Sequence, residues 1–134
     1  MNIYLAARFR DRKRLRSVRD KLWNMGHEVV SSWLDEVRKP KFLTVQEWHC
    51  KLATKDLTEI RSADLLILDT LGNLMQGAGG GREFEFGFAY GQFHKKLVFL
   101  VGKRNNAFHA LVDKQFPSWI AALRYIEICR RYYE

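Results

Sequence analysis

The stretch ADLLILDTLGNLMQGAGGGREFEFGFAYGQFHKKLVFLVG, residues 63–102, decides the fold. Its first apolar run, Leu65-Leu66-Ile67-Leu68, ends in Asp69-Thr70, and a second, Leu97 to Val101, closes it. Both are of strand length and continuous rather than alternating, the pattern of parallel strands covered on two faces. Between them a glycine-rich loop at Gly77 to Gly81 opens into an expected helix carrying Glu83 and Glu85. Strand, loop, helix and strand make a βαβ unit, and ligands of such sheets bind beyond the carboxyl ends of the strands. Asp69, the glycines and Glu85 all fall on that edge. Glycines let backbone come close to a ligand, and the helix N-terminus beside them offers unpaired N–H groups and positive partial charge. That charge is expected to help keep Glu85 ionised. An acid there can also do no more than complement the dipole, an effect of ~0.3–1 kcal/mol.

Working outward, Asn2 to Ala6 reads as a first strand and Asp11 to Met25 as its helix, with Leu15, Val18, Leu22 and Met25 at helical spacing and Gly26 as the stop. Basic residues cover the helix's other face, but Arg8 and Arg10 precede it on the loop leaving the strand. His27 to Ser32 reads as a second strand, and Trp33 beyond it as either a core plug or a stacking platform. Residues 36–42 read as a loop. Thr44-Val45-Gln46-Glu47 fits a capping box opening a helix to about Arg61. Asp56 lies in the later part of that helix, where the dipole disfavours an acid. Lys114 to Phe116 reads as an edge strand, and Trp119, Ala122, Leu123, Ile126 and Cys129 as the apolar stripe of a last helix. This order predicts one α/β domain over 1–134, a doubly wound, three-layer, flavodoxin-like (Rossmann-like) parallel sheet of about five strands. Right-handed crossovers would bring Arg8, Arg10, Asp69, Glu85 and Asn106 to one cleft.

Composition narrows the function. An apolar fraction of 47% over 134 residues supports a packed core. No run approaches the ~20 residues of a membrane span, and Ile3 to Ala7 is too short for a signal-peptide core, so a soluble cytoplasmic protein is expected. Cys50 and Cys129 are expected as reduced thiols. The four histidines have no metal-site spacing, and neither metal nor cofactor is expected. A net charge of +8 admits nucleic acid, but no nucleic-acid module is recognisable, and the charge equally suits an anionic small molecule.

Glu85-Phe86-Gly87-Phe88-Ala89, after a glycine-rich loop and before His94-Lys95-Lys96 and an apolar strand, resembles the nucleophile motif of the nucleoside 2-deoxyribosyltransferase family. Asn2-Ile3-Tyr4-Leu5-Ala6, Asp56-Leu57 and Ala63-Asp64 extend the resemblance over most of the chain, in the manner of phage and bacterial members. It implies that Glu85 attacks the anomeric carbon of a deoxyribose, that Asp56 orients nucleophile and sugar, and that Tyr4 lies near them. It also implies a homodimer or higher homo-oligomer, for which Trp119, Tyr125, Tyr132 and Tyr133 are the expected anchors. In the branch that hydrolyses 2′-deoxynucleoside 5′-phosphates, a serine and an arginine two residues apart hold the phosphate; here Arg8 and Arg10 stand at those positions. Six positions before Glu85, where the transferases have an aspartate that contacts the base, stands Gly79, with Arg82 a candidate substitute. Asp69 is expected to assist base protonation or to bond the glycine-rich loop. The Asn106-Ala107-Phe108-His109 segment is similar to one in the phage and bacterial members, and the resemblance assigns it no role.

The expected function is therefore cleavage or transfer of the N-glycosidic bond of a 2′-deoxynucleoside or its 5′-monophosphate, with a glycosyl ester on Glu85. Glu83 is the companion acid, whose loss should be far milder. The competing reading is a non-catalytic nucleotide-binding or sensing domain, which has no use for a carboxylate aimed at a sugar.

Overall fold

A computed structural model describes residues 1–72 and 80–133, the side chains of 132 and 133 excepted. Gly79 and the side chains of Tyr132 and Tyr133 therefore lie outside the described residues. Five strands, β1 (Asn2–Ala6), β2 (Glu28–Val29), β3 (Leu65–Asp69), β4 (Leu97–Val101) and β5 (Lys114–Phe116), form one sheet in the order β2-β1-β3-β4-β5. Every pairing is parallel. The strand order reverses between β1 and β3, so their carboxyl ends form the crevice that such sheets use for ligands. Ile3 to Ala6 and Leu65 to Leu68 are buried throughout, as their continuous apolar character requires. This is the flavodoxin-like architecture that the apolar runs predict.

Helices α1 (Arg12–Asn24), α2 (Val45–Ser62), α3 (Gly80–Tyr90) and α4 (Trp119–Tyr133) cover the sheet. Leu15, Val18 and Leu22 bury one stripe of α1, and Gly26 stops it at φ +88, a conformation that disfavours a side chain. Thr44 and Glu47 close the predicted capping box of α2, worth ~1 kcal/mol. Helix α2 packs on both α3 and β1. Arg130 of α4 donates to the Met25 carbonyl at the end of α1, joining those two helices.

The second strand is shorter than the His27 to Ser32 that its composition predicts. Past Val30, whose N–H still donates to the Ile3 carbonyl at 2.9 Å, side chains take over the edge of β1: Ser31 Oγ accepts from the Leu5 N–H at 3.1 Å, and the Trp33 indole donates to the Leu5 carbonyl at 2.8 Å. The chain thus satisfies the β1 backbone while already turning into a 3-10 turn at Ser32–Asp35. Trp33, 5% exposed, is a core plug.

Candidate active site

Alternation along β1 turns Tyr4 towards the layer formed by α2 and α3. There the buried Tyr4 Oη donates a short hydrogen bond to Glu85 Oε2. Burial, then the charges of Glu85 and Asp56, push the Tyr4 phenol well above its ordinary range, so it remains a donor. Glu85 is partly buried, and desolvation raises its carboxyl to about 8, the Tyr4 bond opposing and Asp56 and Glu59 adding to the rise. The help expected from the helix N-terminus in keeping Glu85 ionised is thus opposed by burial and by neighbouring acids. Asp56 is raised to about 7, by desolvation first and then by Glu59 and Glu36, against Lys55. Its Oδ1 is buried without a hydrogen-bond partner. The structure therefore brings together Tyr4, Glu85 and Asp56 from three elements.

Glu59 belongs to the same group and was not singled out by the sequence. It lies three residues after Asp56, hence on the same helical face, and accepts from the Ser32 N–H at 2.9 Å and from its hydroxyl. The spacing of the two acids was the available signal.

Asp69 stands at the end of β3 as expected, and the expected bond to the glycine-rich loop falls on residues outside those described. The side chain is fully buried, and its carboxylate is occupied by the protein: Arg14 donates twice, at 2.7 and 3.1 Å, the Trp119 indole at 2.6 Å and the Leu71 N–H at 2.9 Å. An acid with all these donors knits α1, β3 and α4 rather than facing a substrate. The same bond turns the Trp119 indole inward, leaving it 8% exposed, and Tyr125 packs against Phe99 and Phe116. Arg82 is also turned inward, its Nη1 donating to the Asp69 carbonyl at 3.2 Å and its Nε lying 3.5 Å from Glu83.

Asn106 likewise serves the fold. Its Oδ1 accepts from the His109 N–H at 3.2 Å and caps the 3-10 turn Ala107–Leu111, while its Nδ2 reaches Glu83 Oε2 at 3.3 Å. His109 Nε2 lies 2.9 Å from both Glu83 oxygens. Glu83 is thus no inert companion to Glu85. The two basic residues after β1 also part company: Arg8 is largely covered, bonded to Asp11 at 3.1 Å and laid against Gly72, where a Cβ would stand 2.2 Å from its guanidinium. Arg10 is exposed. Close by, a cavity of about 530 Å³ opens at the carboxyl edge between Gly72, Gly102, Lys103 and Pro117. Among the described residues no three of His, Cys, Asp and Glu converge as a metal site would need.

No protein-family model matches the chain, and no curated protein matches it in sequence. Solved structures do match in shape. A 2-deoxyribosyltransferase of Bacillus psychrosaccharolyticus superimposes with a TM-score of 0.71 over 93% of this chain and 92% of its own, at 24% identity. The chain has the fold of that enzyme. Clostridium botulinum CMP N-glycosidase, BcmB, matches over 96% and 99% at a TM-score of 0.57 and 18% identity. The fold implied by the sequence resemblance is the fold observed. No helix among the described residues is long and apolar enough to cross a membrane.

Proposed function

We propose that this chain is an enzyme of the nucleoside 2-deoxyribosyltransferase kind, cleaving or transferring the N-glycosidic bond of a 2′-deoxynucleoside or its 5′-monophosphate. The observation that carries the reading is the Tyr4 to Glu85 hydrogen bond beside the unpartnered Asp56 Oδ1, on the edge where this fold takes ligands. A structural carboxylate has its acceptors filled, whereas these two are raised and incompletely bonded. Similarity in fold to a deoxyribosyltransferase and an N-glycosidase supports the choice of chemistry.

In this mechanism deprotonated Glu85 attacks C1′ as the bond from C1′ to the base nitrogen breaks. The base leaves with the bonding electrons and takes up a proton, and a glycosyl ester remains. Water or a second base then attacks C1′, and the ester oxygen departs with its electrons to restore Glu85. Tyr4 holds one carboxylate oxygen and leaves the other for attack. Asp56 Oδ1 is an open acceptor for a sugar hydroxyl. Arg10, exposed on the loop beyond β1, is the candidate partner for a 5′-phosphate, with Arg8 fixing that loop.

The test is a screen of deoxynucleosides and their 5′-monophosphates for free base, with and without an acceptor base, alongside intact-mass analysis of quenched enzyme. Base release with a deoxyribosyl adduct that is absent from Glu85→Gln is the expected result. Binding without base release, equal in both proteins, would instead make the chain a nucleotide-binding domain. The reading includes a homo-oligomer, with exposed Phe84 and Phe108 as anchors in place of Trp119 and Tyr125, and a monomeric mass by light scattering would remove that part.

A further inference from the structure

We propose that His109 is a positioning residue for Glu85, acting through Glu83, and that the segment Asn106 to His109 clasps the first turn of α3 to the chain beyond β4. The inference rests on the reading of Glu85 given above.

The clasp follows from the hydrogen bonds. Nδ1 of His109 accepts from the Asn105 N–H at 2.9 Å, and a ring nitrogen that accepts carries no proton. The proton of the neutral ring is therefore on Nε2, which donates to Glu83. Asn106 adds a second donor to the same carboxylate and fixes the turn that holds the histidine. The imidazole is fully buried and lies 5.9 Å from the Phe86 ring, centre to centre. Glu83 and Phe86, three residues apart, share a helical face, so both meet His109 on one side of α3. Glu85 is ~200° around the helix from Glu83, on the side where Tyr4 holds it.

The start of α3 is thus held on opposite sides, at Glu85 by Tyr4 of β1 and at Glu83 by the segment after β4, with Arg82 between them donating to the Asp69 carbonyl of β3. It needs such support. Helix α3 begins Gly80-Gly81 and carries Gly87, and a Cβ at any of the three would meet nothing within 4 Å. Packing among the described residues does not require these glycines, and the one interior to the helix, Gly87, costs ~1 kcal/mol relative to alanine. With no side chain at Gly80 or Gly81 to pack, the aim of the Glu85 carboxylate depends on these tethers, of which the one through Glu83 is the clasp.

Two substitutions separate the bonds of the ring. In His109→Gln the amide nitrogen reaches the Nε2 position and still donates to Glu83. In His109→Asn the amide oxygen still accepts from Asn105 but the bond to Glu83 is lost. The first readout is the Glu85 carboxyl titration, followed by carbon-13 NMR and assigned with Glu85→Gln, and it needs no substrate. Wild type and His109→Gln should titrate alike, and His109→Asn should titrate at lower pH as Glu85 gains access to water. The second is base release, where kcat should fall about tenfold in His109→Asn with KM within twofold, and His109→Gln should stay within twofold of wild type. If His109→Asn does not fold, Glu83→Ala opens the clasp from its other end and is read the same way. Identical titrations in all folded variants overturn the proposal, as does an equal shift in Gln and Asn, which would assign the effect to ring packing alone. Wild-type protein that releases no base from any deoxynucleotide sinks the reading of function, and the titration alone then decides the clasp.

Discussion

Two carboxylates stand at the carboxyl edge of the sheet, and the protein treats them in opposite ways. Asp69 ends β3 with four donors on its oxygens and no exposure to solvent. Glu85, reached from α3, has the Tyr4 hydroxyl and two further acids for neighbours, and its proton is held to about 8. The difference teaches how to sort acids at such an edge. A saturated carboxylate cannot take part in chemistry without breaking the fold, whereas one left short of donors is destabilised as an anion and gains by meeting positive charge. An oxocarbenium-like sugar supplies that charge in the transition state.

The sharpest way to break the comparison is to remove each acid. Glu85→Gln should lower base release by several orders of magnitude while leaving the far-ultraviolet circular dichroism unchanged. Activity within a few-fold of wild type would end its assignment as nucleophile. Asp69→Ala should act on stability instead, leaving Arg14 and the Trp119 indole without their acceptor. Buried pairs broken in this way lose ~3–5 kcal/mol, and Arg14, 39% exposed, puts the expectation near the lower end, about 3 kcal/mol by urea denaturation. A loss under about 1 kcal/mol would mean that the Asp69 network is not the structural centre described.

The same contrast gives a pH dependence with a definite sign. Glu85 and Asp56 hold protons more tightly folded than unfolded, so their contribution to stability is complete below the ordinary carboxyl range. It is lost as pH rises through about 7 and about 8. Melting temperature should fall over this range, and Glu85→Gln should flatten the fall. Base release by the free enzyme should move the other way, rising as Glu85 loses its proton. A melting temperature that climbs between pH 5 and 8, or falls as steeply in Glu85→Gln as in wild type, would remove burial as the cause of the Glu85 shift.

Much of this was legible in the residues, for reasons that differ by position. Unbroken apolar runs and the capping box are local signals, and they predicted β1, β3, β4 and α2 closely. The meeting of Tyr4, Asp56 and Glu85 came from resemblance, and the parallel order of the strands is what makes it possible. The Asp69 network was not legible because its partners Arg14 and Trp119 lie 55 and 50 residues away, and nothing local marks them as donors. Asn106 was placed at the correct edge, but its capping bond is a property of the turn that follows it. Helix position alone suggested help towards an ionised Glu85, and the burial that opposes it depends on the packing of α2 against α3.

Arg8 and Arg10 differ in exposure, one guanidinium largely covered beside Asp11, the other side chain open to solvent. If Arg10 meets a 5′-phosphate, Arg10→Ala should lose ~1.5–3 kcal/mol of binding, about ten- to a hundredfold in kcat/KM on a deoxynucleoside monophosphate, with little change on the nucleoside. Arg8→Ala should affect both substrates alike, through the loop it ties to Asp11. Equal kinetics on the two substrates, unchanged by Arg10→Ala, would remove the phosphate and leave a nucleoside as the substrate.

The smallest effect is the most diagnostic of how the acids are coupled. Asp56 stands second to desolvation among the causes that raise Glu85, so Asp56→Asn should remove the charge and keep most of the burial. The midpoint of the rising pH profile of base release should therefore shift down, but only by about half a unit, ~0.7 kcal/mol of interaction. The height of the profile is a separate quantity: it should fall if Asp56 Oδ1 accepts a sugar hydroxyl, since an amide presenting its nitrogen there cannot. A lowered plateau with a lowered midpoint supports both roles. An unchanged midpoint would mean that Asp56 and Glu85 do not share a field, and the raised carboxyl of Glu85 would then rest on burial and Glu59 alone. An upward shift would contradict the sign of the interaction and, with it, the placing of the two acids in one site.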